Sequence, residues 1–163
     1  MKLKMQYTIP SHNLDLFQSL IGQKITNVSR RLLESDLDLE NYEQMGDGPT
    51  ELVFSNGQIV AFYSWVRILS IGITQERIER QGMASVYKDI TNNSFWKERI
   101  GQTISKIVIA KSIYATEKNA MEFAIEFEFE NNMKVCIEHT DNPDSLIVTE
   151  ENKETKCTKT VLE

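Results

Sequence analysis

In the first half of the chain the sequence reads Glu51-Leu52-Val53-Phe54-Ser55-Asn56-Gly57-Gln58-Ile59-Val60-Ala61-Phe62-Tyr63-Ser64-Trp65. Asn56-Gly57 stands between two runs that are rich in apolar, β-branched and aromatic residues. Asn-Gly in this setting is the strongest short-range signal for a β-hairpin, because a type I′ turn needs positive φ at both central positions. We therefore expect two antiparallel strands, over residues 51–54 and 59–65, joined by a type I′ turn.

A second hairpin is expected later in the chain. Residues 121–129 alternate apolar and acidic side chains, residues 130–133 have the composition of a turn, and residues 134–138 return as a second strand. A period of two means that one face of the strand packs inward while the other meets water or a partner. Two further apolar runs, residues 68–73 and 104–110, also have the composition of strands.

Short helices are predicted over residues 15–21 and 94–100. Each begins at a residue suited to the N-cap, Asp15 or Ser94, and each is followed by a glycine in the position of a C′ cap. A third short helix is expected over residues 76–81, closed by Gly82.

The two halves of the chain align with each other. A shift of 79 residues places Ile21-Gly22-Gln23 on Ile100-Gly101-Gln102, and a shift of 75 aligns the two hairpins without a gap. Under the second shift six residues meet identical ones, namely Glu51, Phe54, Asn56, Val60, Ser70 and Thr74 with Glu126, Phe129, Asn131, Val135, Ser145 and Thr149. The sequence therefore predicts two related helix–strand–hairpin–strand units, over residues 15–74 and 94–149.

The predicted architecture is a single α+β domain, mainly antiparallel β, over residues 1–149. Its two units would form one sandwich or a partly closed barrel, because either arrangement removes exposed strand edges. Residues 150–163 are polar almost throughout, so we expect a flexible tail there.

Composition excludes several classes of protein. The 163 residues include 18 Lys and Arg against 24 Asp and Glu, a formal net charge of −6, which disfavours binding to phosphate backbones. No apolar run approaches the roughly 18 residues of a spanning helix, and no signal peptide is visible, so a cytoplasmic protein is expected. Two cysteines cannot form a disulfide framework or a four-cysteine zinc site.

Motifs for catalysis and for cofactors are missing from the sequence. Cys136 and His139 are three residues apart and would face opposite sides of a strand, so no metal site is expected. Ser64 has no base near it in sequence, and no glycine-rich phosphate loop occurs. We therefore assign no catalytic residue, no metal and no cofactor.

One segment concentrates acidic charge. Between residues 34 and 47 there are six carboxylates and no Lys or Arg. If residues 35–40 are extended, their acidic side chains share one side, where like charges repel unless a basic partner neutralises them. The candidate partner-binding residues are Asp36, Asp38, Glu40, Glu43 and Asp47. The alternative is a solvated edge strand protected by its charge.

In size, charge and strand pattern over residues 1–149, the chain resembles the small acidic immunity proteins of bacterial toxin–immunity systems. The resemblance implies a non-catalytic cytoplasmic protein that neutralises a basic toxin, and it assigns no role to any single residue. Two alternatives stay open. One is a small-ligand binder or enzyme with a pocket between the two units. The other is a nucleic-acid-binding module using Arg30, Arg31 and the aromatic strand with Phe62, Tyr63 and Trp65.

Overall fold

Two five-stranded antiparallel β-sheets pack face to face in the computed structural model, which describes residues 6–80, 84–141 and 144–163. The first sheet has the order β4-β3-β2-β1-β5, with strands β1 Ile25–Leu33, β2 Thr50–Phe54, β3 Ile59–Trp65, β4 Ser70–Thr74 and β5 Ser85–Asp89. The second has the order β10-β6-β7-β8-β9, with strands β6 Ile104–Ser112, β7 Glu122–Phe129, β8 Lys134–Asp141, β9 Asp144–Thr149 and β10 Cys157–Leu162.

The core lies between the two sheets and is largely aromatic at its centre. The ring of Phe127 lies 6.2 Å from that of Phe54 and 6.3 Å from that of Phe62, and all three side chains are buried. Phe17 and Trp96, from two short helices, close the core and are fully buried. The predicted α+β class with mainly antiparallel strands is confirmed, and the packing of the sheets is that of a sandwich.

The two sheets share strand order and register. In the first, β1 and β2 pair through Ile25 and Phe54, and a β-bulge follows immediately. In the second, β6 and β7 pair through Ile104 and Phe129, again with a bulge immediately after this pair. Adding 79 to 25 gives 104 and adding 75 to 54 gives 129, the shifts by which the sequence aligns with itself.

The contact between the sheets at the helix ends is reciprocal. The amide of Gly22 donates to the carbonyl of Ile104 at 2.8 Å, and the amide of Gly101 donates to the carbonyl of Ile25 at 3.0 Å. Each bond becomes the other when the two halves are exchanged. Both glycines have positive φ, 84° and 80°, as expected for a C′ cap.

Both predicted hairpins are present, but the type I′ turn is wrong. Gly57 has a φ of 86°, whereas Asn56 is not in the left-handed region. The amide of Phe54 donates to the carbonyl of Gln58 at 2.9 Å, so the loop has three residues with the last one left-handed. The second hairpin repeats this loop with Asn132, whose φ is 67°.

The helices are shorter than predicted or displaced. They are α1 Leu14–Leu20, α2 Tyr42–Met45 and α3 Ser94–Lys97, and a 3-10 turn over Pro10–Asn13 leads into the first. Residues 76–80 are not helical, and Gln81 and Gly82 lie outside the described residues. Within the described parts of the chain, no helix has both the length and the apolar character needed to cross a membrane.

Residues 150–163 do not form a tail apart from the domain. Cys157–Leu162 is strand β10, which pairs along β6 from Ser112 to Ile107. Its sequence is polar because most of its side chains are exposed, whereas its backbone satisfies one edge of β6. The β-branched residues among these side chains suit the strand conformation.

The acidic side chains that point outward from β2 and β7 are covered by other segments of the chain. Glu51 is 1% exposed, and its carboxylate accepts from the amide of Ile78 at 3.0 Å and from Arg77 Nη1 at 2.9 Å. The equivalent Glu126 accepts from the amide of Asn152 at 2.8 Å. These two carboxylates, of which Glu51 is 1% and Glu126 is 8% exposed, hold the crossover segments that lead to the fifth strand of each sheet.

Candidate functional site

The acidic segment is helical rather than extended. Glu34–Asp38 forms a 3-10 turn, closed by the amide of Leu39 donating to the carbonyl of Asp36 at 3.0 Å, and α2 follows. Asp36, Asp38 and Glu40 therefore do not line one side of a strand, and the expectation of an extended edge strand is wrong. Asp and Ser favour turns because their side chains compete for nearby backbone groups.

The five candidate partner-binding residues fall into two groups. Asp38 and Glu40 are exposed. Glu43 is buried on α2, and Asp36 and Asp47 are partly buried. Asp36 Oδ2 accepts from the amide of Asp47 at 2.8 Å, so these carboxylates take part in the fold of the segment.

A buried arginine ties the segment to the second sheet. Arg30 is 0% exposed, and its Nη1 donates to the carbonyls of Glu43 and Gln44 at 3.3 and 3.2 Å. Its Nη2 donates to the carbonyls of Gly48 and Leu146 at 2.8 and 2.6 Å. Four carbonyls from three places in the chain thus converge on one guanidinium.

Two carboxylates of the acidic segment compensate this buried charge. Burial lowers the pKa of Arg30 to about 10, and the nearby charges of Asp47 and Asp36 oppose that shift. Arg30 therefore stays protonated at neutral pH. Part of the negative charge that the sequence analysis attributed to a partner-binding surface therefore compensates the buried Arg30 instead.

These placements bury most of the residues on which the nucleic-acid alternative rested. Arg30 is buried, and so are Phe62 and Tyr63 on the aromatic strand. Trp65 packs against Tyr7, with ring centroids 5.7 Å apart. Arg31 is half-buried and lies 3.9 Å from a carboxylate oxygen of Glu79.

A serine–histidine pair escaped the sequence analysis. Ser64 Oγ lies 2.8 Å from His139 Nδ1, although the two residues are 75 apart in sequence. The shift of 75 makes them equivalent positions of the two halves, although equivalence in an internal repeat does not by itself predict contact. Burial lowers the pKa of His139, so its imidazole is neutral at physiological pH.

The chemistry of this pair is limited by what surrounds the second ring nitrogen. His139 is 6% exposed, and its Nε2 has no hydrogen-bond partner within the described chain. Nucleophilic serines depend on a base that a third group orients. The pair therefore fits a hydrogen bond between the sheets better than an activated nucleophile.

Cys136 lies on the opposite face of β8 from His139. It is fully buried, and its thiol donates to Glu138 Oε1 at 3.4 Å. Burial raises the pKa of this thiol well above its ordinary value, so it is unreactive. Among residues 6–80, 84–141 and 144–163, no three His, Cys, Asp or Glu side chains are grouped to hold a metal ion.

A cavity of about 630 Å³ opens beside the ends of β7 and β8. Leu69, at the corner before β4, and Met45, from α2, contribute to its wall from the first half of the chain. Met121, Phe123 and Tyr114 line it from the second half. Tyr114 is 64% exposed and Met45 is 44% exposed, so the apolar wall reaches the surface.

Charged residues around this cavity are mostly acidic. The lining contains five carboxylates and two lysines, namely Glu138, Asp141, Glu150, Glu151 and Glu154 with Lys153 and Lys156. Glu138 is half-buried, and burial raises the pKa of its carboxyl group. His139 also lines the cavity.

Comparisons with protein-family models, with curated proteins and with solved structures find no match for this chain. The candidate site is therefore defined by its geometry alone, as an acidic cavity with an apolar wall and an exposed tyrosine at its mouth.

Proposed function

We propose that this protein is a non-catalytic acidic binding protein whose cavity mouth receives a basic protein. The observation that carries the proposal is the set of five carboxylates against two lysines around a cavity of about 630 Å³. Negative charge at a concave site focuses the electrostatic potential and attracts basic partners. The formal net charge of −6 acts in the same direction.

The apolar part of the cavity mouth supports the same proposal. Exposed Tyr114 and Met45 belong to residue types that are enriched in protein interfaces. The exposed carboxylates Asp38 and Glu40 precede α2, which packs on β9 and contributes Met45 to the wall. The acidic segment therefore flanks the cavity and enlarges the surface offered to a partner. In its most specific form, suggested by the resemblance to immunity proteins, the partner is a basic toxin.

Two matched charge variants test the proposal. The mouth variant carries Glu150→Gln, Glu151→Gln and Glu154→Gln, and the control variant carries Asp15→Asn, Glu98→Gln and Glu130→Gln, all at exposed positions. Each variant and the wild type serve as bait in lysate of the source organism, at low and high salt, with captured proteins identified by mass spectrometry. We expect basic proteins that bind the wild type and the control but not the mouth variant, with retention falling as salt rises. Equal capture by both variants would contradict the proposal.

A small-ligand site is the second candidate, because the cavity is lined by both halves of the chain. An apolar wall with a few polar groups is the usual composition of such a site. A screen of small molecules by thermal shift separates the two functions. A ligand that raises Tm equally in the wild type and the mouth variant would favour this candidate over a basic protein partner.

We also propose that the chain descends from two copies of one unit. The supporting observations are the equal registers of the two sheets, the equivalent hairpin loops and the reciprocal bonds between Gly22 and Ile104 and between Gly101 and Ile25. Equivalent core positions should then contribute similarly to stability, as tested below.

A further inference from the structure

On the first sheet, one place on the outer face is filled by a side chain from another segment. The ring of Tyr7 lies 4.8 Å from that of Tyr63 and 5.7 Å from that of Trp65. Thr8 fixes this segment by bridging to Ile73, with N–H···O distances of 3.1 and 2.7 Å. The outer face of β3 and β4 thus receives an inserted aromatic side chain.

The equivalent place on the second sheet borders the cavity. The pairing of Tyr63 with Gly72 corresponds to that of Glu138 with Ile147, since 63 and 72 become 138 and 147 on adding 75. Glu138 lines the cavity. Glu138 thus occupies the position equivalent to Tyr63, on which Tyr7 packs, so a carboxylate stands where the first sheet has a phenol ring.

Ile147, which pairs with Glu138, narrows the space available to an inserted group. A Cβ added at Gly72 would lie 2.9 Å from Tyr7 Cγ, so the first sheet needs glycine to admit an aromatic ring. The second sheet has Ile147 at that position. An aromatic ring placed as Tyr7 is on the first sheet would collide with the side chain of Ile147. An unbranched aliphatic side chain is slimmer than such a ring.

The carboxylate of Glu138 has no close cation among the described residues, although the charge of Lys153 acts on it and lowers its pKa. Glu51 pairs with Arg77 at 2.9 Å and Glu126 with Lys134 at 3.9 Å, but Glu138 forms no ion pair within the described residues. Its carboxylate accepts from the thiol of Cys136 at 3.4 Å and is also hydrogen-bonded to the side chain of Thr149. A half-buried carboxylate is strongly stabilised by a cation that reaches it in a site of low dielectric constant.

His139 also lines the cavity, but it lies on the opposite face of β8 from Glu138. Its Nδ1 is engaged with Ser64, and its Nε2, on the far side of the ring, is buried without a partner in the described chain. When the neutral ring carries its proton on Nδ1, Nε2 is an acceptor. Glu138 is therefore the one of these two groups that a hydrogen-bond donor entering the cavity can reach.

We propose that the basic partner inserts an arginine side chain into this cavity, with its stem against the apolar wall and its guanidinium on Glu138. A guanidinium presents two parallel N–H groups to a carboxylate and stacks on aromatic rings, and Phe123 and Tyr114 line the same space. The proposal rests on the proposed function and names the chemical group that the partner supplies.

The test uses N-acetyl-arginine methylamide with the full chain, followed by amide chemical shifts in NMR titrations. The comparison ligands are the lysine compound and the citrulline compound, the latter having the length of arginine without its charge. The variants are Glu138→Gln, which keeps an oxygen for the Cys136 thiol, and the control Glu128→Gln on neighbouring β7. Thermal melts of both variants verify that they are folded.

We expect the arginine compound to shift amides around Glu138 and to bind at least about tenfold more tightly than either comparison ligand. Glu138→Gln should abolish this preference, and Glu128→Gln should keep it. Equal binding of arginine and citrulline by the wild type would overturn the proposal, and so would a preference that survives Glu138→Gln.

The result is separable from that of the partner capture. If basic proteins are captured through the mouth carboxylates while the arginine compound shows no preference, only the arginine site is wrong. If the arginine compound binds through Glu138 but no basic protein is captured, the site stands and the proposed function fails.

Discussion

Replacing Arg30 by methionine should destabilise the protein strongly, although the change removes a buried charge. The four carbonyl oxygens that accept from the guanidinium include two buried ones, those of Glu43 and Leu146. A stranded buried acceptor costs about 1–3 kcal/mol, which gives about 2–6 kcal/mol for the pair. Asp47 loses its compensating cation, whereas the cost of burying the guanidinium disappears. We therefore expect a net loss of about 3–5 kcal/mol in the free energy of unfolding.

Urea denaturation followed by tryptophan fluorescence measures this loss. The control is Arg31→Met on the same strand, where the side chain is 26% exposed and its nearest carboxylate oxygen is 3.9 Å away. That change should cost less than about 1 kcal/mol, as for other partly exposed ion pairs. A loss below about 1 kcal/mol for Arg30→Met, or one equal to that of Arg31→Met, would refute the role of Arg30 as the anchor of the acidic segment.

The other predictions concern the core, the acidic segment and the buried histidine. Phe54→Ala and Phe129→Ala should each cost about 3–5 kcal/mol in chemical denaturation, and a difference above about 2 kcal/mol would weigh against equivalent positions. Asp38→Asn should leave the free energy of unfolding within about 0.5 kcal/mol, while Asp47→Asn should lower it by about 1–2 kcal/mol. Equal effects would contradict the distinction between exposed and internally bonded carboxylates in the acidic segment. Because burial lowers the pKa of His139, its neutral form stabilises the fold above the unfolded pKa of about 6.5, and this contribution is lost as pH falls through the folded pKa. His139→Asn should therefore flatten the decline of stability between about pH 7 and about pH 5, and an NMR titration of His139 at or above its ordinary pKa would disprove this reasoning.

The strands and hairpins were predictable because their signals are local. Asn56-Gly57 between apolar runs specifies a reversal whatever the rest of the chain does, and only the turn type differs. The acidic segment was misjudged for the opposite reason. Leu37 and Leu39 alternate with acidic residues as in a strand, but a turn forms there and the anchor at Arg30 lies outside the segment. No local pattern distinguishes a buried arginine from an exposed one.

The cavity could not be read from the sequence, because its walls come from separate segments of the two halves. Leu69 and Phe123, for example, are 54 positions apart and meet only through the packing of the sheets. The pair Ser64 and His139 was missed for the same reason, because the two residues are 75 positions apart and lie on different sheets. Strand β10 was missed because exposed side chains make an edge strand resemble a polar tail.

Glu51 and Glu126 hold the crossover segments in place, and this affects how molecules of this protein associate. Each fifth strand pairs with the first strand of its sheet only after the whole meander between them. A fifth strand that detaches can pair with the first strand of a second molecule, which is the route to a domain-swapped dimer. The bonds from Ile78 to Glu51 and from Asn152 to Glu126 fix each crossover to its own sheet. We therefore expect the two carboxylates to oppose strand exchange between molecules.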